Sequence, residues 1–215
     1  MELATRTGAW AKSGSPTPAA YGGLRFTAES DNSTVQLTAV GSAPAVTLVK
    51  SFDGVNWEDY TVGEVIELPS IGDFVYLAAG EGGNETFASS SSIYNRFVIN
   101  GLVAASGDIT SLRRFDLIQT PLAENCYHSM FYGCTGLTSA PELPATKLAN
   151  ACHISMFNGC TKLSLIKVHF TAWGRQTFKW VSNVASTGTF YKPRALREEY
   201  GENKIPTGWT VVNID

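Results

Sequence analysis

The sequence predicts a mainly β protein in four parts: an N-terminal arm, an antiparallel β-sandwich, a short stack of repeats, and a segment that caps the stack. Three observations lead there. Short alternating apolar runs separated by turn signals fill residues 23–108. The stretch CYHSMFYGCTGL beginning at Cys126 returns as CHISMFNGCTKL beginning at Cys152, as architectures that stack copies of one unit require. Twenty glycines among many Thr, Ser and Val residues favour strands and turns over helices.

The first part, residues 1–22, is rich in Ala, Gly, Ser, Thr and Pro and has two aromatics, Trp10 and Tyr21. Such a segment buries too little surface to order itself and needs something to hold it down. Buried aromatics supply much of the energy of small interfaces, so Trp10 and Tyr21 are the candidate anchor contacts. The N-terminus has no basic stretch followed by an apolar core, so no secretory signal is expected with Met1 as the start.

Residues 23–108 read as strands throughout. LRFTAE and TVQLTAV alternate apolar and polar positions. VTLVKSFDGVNWEDY holds Asp53-Gly54, a pair suited to a tight hairpin, and VIELP, DFVYLAAG and NRFVINGLVAA follow. About seven strands with turns every 8–12 residues indicate an immunoglobulin-like β-sandwich. Trp57 and Tyr60 are expected to cap or fill its core, which has no cysteine and hence no inter-sheet disulfide.

Residues 109–165 hold the short array. Leu117, Thr120, Leu122 and Ala123 form a degenerate leader that recurs as Leu143, Thr146, Leu148 and Ala149. Cys126, Met130, Phe131, Cys134 and Leu137 of the first copy match Cys152, Met156, Phe157, Cys160 and Leu163 of the second. These ten are the expected repeat core, with the Met-Phe pairs forming one apolar stack. A short stack needs both ends covered. The sandwich serves at the start, and residues 166–215 at the finish, with Trp173, Phe178, Trp180, Phe190, Tyr191 and Trp209 available to bury. GTFYKP and GWTVVNID read as strands there, and RALREEYG as a short helix.

The run CYHSMFYGCTGLTSAPELPATKLANACHISMFNGCTKL resembles the BspA-like leucine-rich repeats, in about two copies, and STGTFYKP with IPTGWTVVNID is similar to the segment that closes such arrays. The resemblance implies an immunoglobulin-like domain followed by a short leucine-rich-repeat solenoid. It further implies a binding or structural module on the surfaces of Bacteroidetes-type gut bacteria or in virions of the phages that infect them.

Composition narrows the chemistry. Net charge is −3, and no basic block exceeds Arg113-Arg114, which speaks against a nucleic-acid backbone as partner. No apolar run reaches the roughly 18–20 residues that cross a bilayer. The histidines, His128, His153 and His169, fall at different repeat positions and make no zinc spacing with the cysteines. A disulfide between Cys134 and Cys160 is open on spacing alone, but small buried thiols are the simpler reading. No catalytic pair, phosphate loop, metal or cofactor is expected. The expected function is non-enzymatic. The chain reads as a phage virion structural protein, assembled in the host cytoplasm: a head fibre, decoration protein or tail-associated adhesin. Its arm contacts other virion proteins, it forms a homo-oligomer, a trimer by preference, and its far end meets host or mucus glycans or a host surface protein. A bacterial cell-surface adhesin is the alternative.

Overall fold

A computed structural model describes residues 23–116 and 119–214. The arm with Trp10 and Tyr21, and Leu117 of the leader, lie outside the described residues. Among the described residues the protein is mainly β, 34% strand and 4% helix, with two sheets.

The chain order is β1 (Arg25–Ala28), β2 (Ser33–Val40), β3 (Leu48–Ser51), β4 (Glu58–Tyr60), β5 (Val65–Leu68), β6 (Phe74–Ala79), β7 (Ala88–Ser90), β8 (Ile93–Asn100) and β9 (Val103–Ser106). Then come a 3-10 turn (Ile109–Leu112), β10 (Leu137–Ser139), β11 (Leu165–Lys167), β12 (Thr189–Lys192) and β13 (Thr210–Asn213). One sheet has four strands in the order β5-β2-β8-β7, all antiparallel. The other has nine, β13-β12-β11-β10-β9-β1-β6-β3-β4. Its pairings from β4 to β9 are antiparallel, and those from β9 to β13 are parallel.

In the front region the alternation sets the faces. Phe26 of β1 and Phe97 of β8 meet across the gap with ring centroids 4.9 Å apart, and Leu24, Val35, Leu37 and Leu77 are fully buried around them. Tyr60 is buried too, its hydroxyl donating to the Glu64 carbonyl and accepting from the Leu37 amide, 2.8 Å each. Trp57 is not in this core. It lies half-buried beyond the nine-stranded sheet, edge-on to Phe115 at 5.2 Å. Asp53-Gly54 belongs to a longer loop between β3 and β4 rather than a tight hairpin, because the Asp53 carboxylate accepts from the Val55 and Asn56 amides and turns the chain early.

The rear region is built in layers, residues 125–139, 151–167 and 175–192, each ending in one strand of the parallel ladder. Most of each layer is turn. Left-handed backbone recurs every fourth residue, at Asn125, Ser129 and Gly133, then at Ala151, Ser155 and Gly159. The amides alternate accordingly. Those of His128, Met130, Tyr132 and Cys134 donate three residues back, and those of Tyr127, Ser129, Phe131 and Gly133 donate to the next layer's carbonyls. Every amide in this stretch has a partner although the chain is not extended, which is how such turns can be buried.

Both sheets support the first layer. Val103 and Ala104 of β9 pair with Leu137 and Ser139 of β10, and the amides of Phe87 and Phe97 donate to the carbonyls of Cys126 and Met130. The apolar core is one cluster from Leu24 to Trp209.

The third layer is a departure from expectation, since the repeat reads as ending at Leu163. The Ser155, Phe157 and Gly159 amides donate to the Phe178, Trp180 and Ser182 carbonyls, so the stack continues. The step into this layer is two residues shorter than the 26-residue repeat: Leu165 pairs with Thr189, where the strict repeat would place Tyr191. Trp180 takes the place of Met156. Phe178 is 48% exposed and does not join the core, unlike Trp180, Phe190 and Trp209. The helix expected in RALREEYG does not form. The buried Lys192 ammonium donates to the Leu196 and Pro193 carbonyls, removing acceptors a helix would use, and Tyr200 bridges to Ile205 instead.

Candidate interaction surfaces

All ten repeat-core residues, Cys126, Met130, Phe131, Cys134, Leu137, Cys152, Met156, Phe157, Cys160 and Leu163, are at most 1% exposed. They lie along two columns of rings. Phe97, Phe131 and Phe157 stack at 5.1 and 5.5 Å, and Phe87, Tyr127, His153 and Trp180 at 6.1–6.3 Å. The matching motifs therefore specify packing, and a ligand cannot reach them.

The buried groups are also chemically quiet. The four cysteines are free thiols. Cys134 Sγ donates to the Phe97 carbonyl at 3.1 Å, and Cys160 Sγ repeats that bond one layer on, to Phe131 at 3.0 Å. Burial pushes the Cys126, Cys134 and Cys152 thiols up to about 12, far from the thiolate a nucleophile needs. Burial pushes His153 down to about 3, so it stays neutral, and its Nδ1 has no hydrogen-bond partner. His128 Nδ1 is within 2.9 Å of Ser129 Oγ.

What the chain shows to solvent is different. One face of the nine-stranded sheet carries Phe74, Thr27, Ala104, Ser139, Leu165, Thr189 and Thr210 in one row across the strands, as the register sets. Two positions along, Tyr76, Arg25 and Ser106 follow on the front strands, and Lys167, Tyr191 and Val212 on the rear ones. Arg25 sits 4.0 Å above the Phe74 ring. Beside the rows, Glu142 Oε1 lies 2.9 Å from Lys167 Nζ and 2.6 Å from His169 Nε2. Burial opposes ionisation of Glu142, and the hydrogen bonds from Lys167 and His169 override it, holding the carboxyl below its ordinary range. Burial raises Asp108 nearby, and its carboxylate accepts from the Thr110 amide at 2.6 Å. This ionic group ties segments of successive layers together. Sequence reasoning missed it because Asp108, Glu142 and Lys167 lie far apart along the chain and no local spacing links them.

Two clefts open elsewhere. One of about 560 Å³ lies beside β4, lined by Ala39, Pro44, Val46, Asp59 and Glu81. Another of about 320 Å³ lies on the third layer, lined by Ser182, Asn183, Ser186 and Thr207. Among the described residues no three His, Cys, Asp or Glu side chains gather closely enough to hold a metal ion, and no helix is long and apolar enough to cross a membrane. No family model, no curated protein and no solved structure matches the chain.

Proposed function

We propose that the chain is a non-enzymatic structural protein of a phage virion, held on the particle by residues 1–22 and presenting its sheet face and outer layers to host or mucus glycans. The finer fold reading belongs with it: an immunoglobulin-like sandwich (23–108) continued by a short BspA-like leucine-rich-repeat solenoid (109–165) and its cap (166–215). The facing antiparallel sheets and the parallel ladder of turns support that reading.

The observation that carries the function is the nine-stranded sheet that runs from β4 to β13 without a break. Such a sheet makes a stiff presenting surface whose outward side bears hydroxyls, rings and few charges, while the four cysteines, His128 and His153 are buried in the packing. A homo-oligomer, trimeric by preference, would multiply weak contacts into avidity.

Immunogold labelling tests this directly, with antibody against the chain applied to purified phage particles and to intact uninfected cells of the source culture. Label on particles alone is expected. Label on the cell envelope without phage would overturn the virion reading in favour of a bacterial surface adhesin.

A further inference from the structure

Charge is divided unevenly along the chain. Residues 1–165 hold nine Lys and Arg against fifteen Asp and Glu, a net of −6, whereas residues 166–215 hold seven against four, a net of +3. The distal layers are thus the positive end of a negative molecule. Within them Arg175, Lys179 and Arg197 are exposed and have no ion-pair partner among the described residues. Of the neighbouring carboxylates, two face lysines and the third holds a serine hydroxyl. Glu199 is 3.0 Å from Lys204, Glu198 faces Lys192 at 3.8 Å, and Glu202 accepts from Ser182 Oγ at 2.7 Å.

Two large rings are exposed in the same 173–204 stretch. Phe178 is 48% exposed and Tyr200 52%, more than any other ring of the rear region. Lys179 Nζ lies 5.6 Å from the Phe178 ring. The backbone beneath is fixed rather than loose. Trp173 Nε1 donates to the Arg197 carbonyl, Trp180 Nε1 to the Lys204 carbonyl, Thr177 Oγ1 to the Asn203 carbonyl, and the Lys179 amide to Asn203 Oδ1. Lys179 also occupies a left-handed position, φ 51°, where the earlier layers place Ser129 and Ser155. A long cation is held there against backbone preference.

Next to Tyr200 lies the 320 Å³ cleft, lined by Gly201, by the Glu202 carboxylate that takes the Ser182 hydroxyl, and by Asn183, Ser186 and Thr207, which offer an amide and hydroxyls. Resting on the glycan reading above, we infer that the third layer and its neighbouring turn bind a terminal carboxylated sugar of a glycan chain. The cations meet the carboxylate, the exposed rings pack against the C–H face of the sugar, and the polar cleft receives its hydroxyls. Guanidinium forks match carboxylates geometrically, and exposed aromatic rings supply apolar area with little entropy loss. A shallow site with exposed rings and small hydroxyls beside its cations suits a sugar, which presents a C–H face and hydroxyls along with its carboxylate, better than an acidic peptide, whose carboxylates would engage the cations alone.

The test uses the full chain and immobilised sialylated mucin, with the same mucin after sialidase treatment and a panel of neutral glycans as comparisons, read by biolayer interferometry. Sialidase treatment should lower binding at least tenfold, as should Lys179→Glu and Tyr200→Ala, both exposed positions whose variants should melt at the wild-type temperature. Added salt should weaken binding. Binding unchanged by sialidase, or unchanged in both folded variants, overturns the inference. Binding to neutral glycans alone overturns it while leaving the broader glycan reading intact, and binding to no glycan overturns both.

Discussion

Residues 25–106 and 125–213 bury similar aromatic cores and reach them by different backbones. In the front region the chain is extended, side chains alternate in and out, and each strand finds its hydrogen bonds in strands beside it. In the rear region most of the chain turns, and successive amides donate alternately within their own layer and to the next. The front core is closed between two sheets. The rear core is threaded by ring columns that pass from Phe97 in the four-stranded sheet through Phe131 to Phe157. A fold of the second kind depends on each layer resembling its neighbour, so damage at one rung should be felt by the next.

The largest effect should follow from removing a rung. Phe157 is fully buried between Phe131, at 5.5 Å, and Trp180, at 6.1 Å. Phe157→Ala should cost about 3–5 kcal/mol in urea unfolding, and a loss below about 1 kcal/mol would mean that the layers do not pack as described. The joint between the regions comes next. A Cβ added to Gly136 would land on the Gly101 carbonyl oxygen, and the Gly136 carbonyl itself accepts from the Val103 amide at 3.0 Å. Gly136→Ala should therefore cost about 2–3 kcal/mol, because backbone meets backbone and neither can rotate away.

How much of this was legible follows from the same contrast. Alternation in TVQLTAV and NRFVINGLVAA marked β2, β8 and β9 because strand period is a local property. The repeat marked the first two layers because matching letters at a fixed offset need no geometry to detect. The third layer escaped, since Trp180 replaces methionine and the offset shortens, leaving QTFKWVSN with almost no identity to SMFNGC. The helix in RALREEYG was a propensity reading overruled by one buried lysine, Lys192. For the candidate surface, the exposed Phe178 looked like core, and Lys179 and Tyr200 carry no motif. Only the hydrogen bonds between residues 173–180 and 197–204 bring their stretches together.

His153 sharpens the comparison through pH. Its folded pKa is about 3, depressed by burial, against about 6.5 when unfolded. The unfolded chain therefore takes up a proton that the folded chain refuses, and stability falls as pH drops below about 6.5. The slope is about 1.4 kcal/mol per unit until the folded pKa is reached. His153→Phe removes both the titration and the unpartnered Nδ1. Its stability should be flatter from pH 6.5 to 5 than that of the wild type in chemical denaturation, and an unchanged slope would mean the ring is hydrated.

The smallest effect concerns backbone strain. Ala151 sits at φ 55°, where glycine is at ease, whereas Ala105 is buried in strand β9. Ala151→Gly should change stability by less than about 0.5 kcal/mol, relief of strain offsetting the freer unfolded chain, and Ala105→Gly should cost about 1 kcal/mol or more. Melting temperatures that fall equally in both would contradict the left-handed turn series.

The central structural claim is that the two regions are one body, because they share a sheet and a core. Hydrogen exchange by mass spectrometry across a urea titration tests it without any substitution. Peptides covering β8–β9 and residues 151–167 should lose protection at the same urea concentration, as a single cooperative unit requires. Exchange of the 151–167 peptide at distinctly lower urea, with β8–β9 still protected, would contradict the account and leave the layers a separately melting appendage.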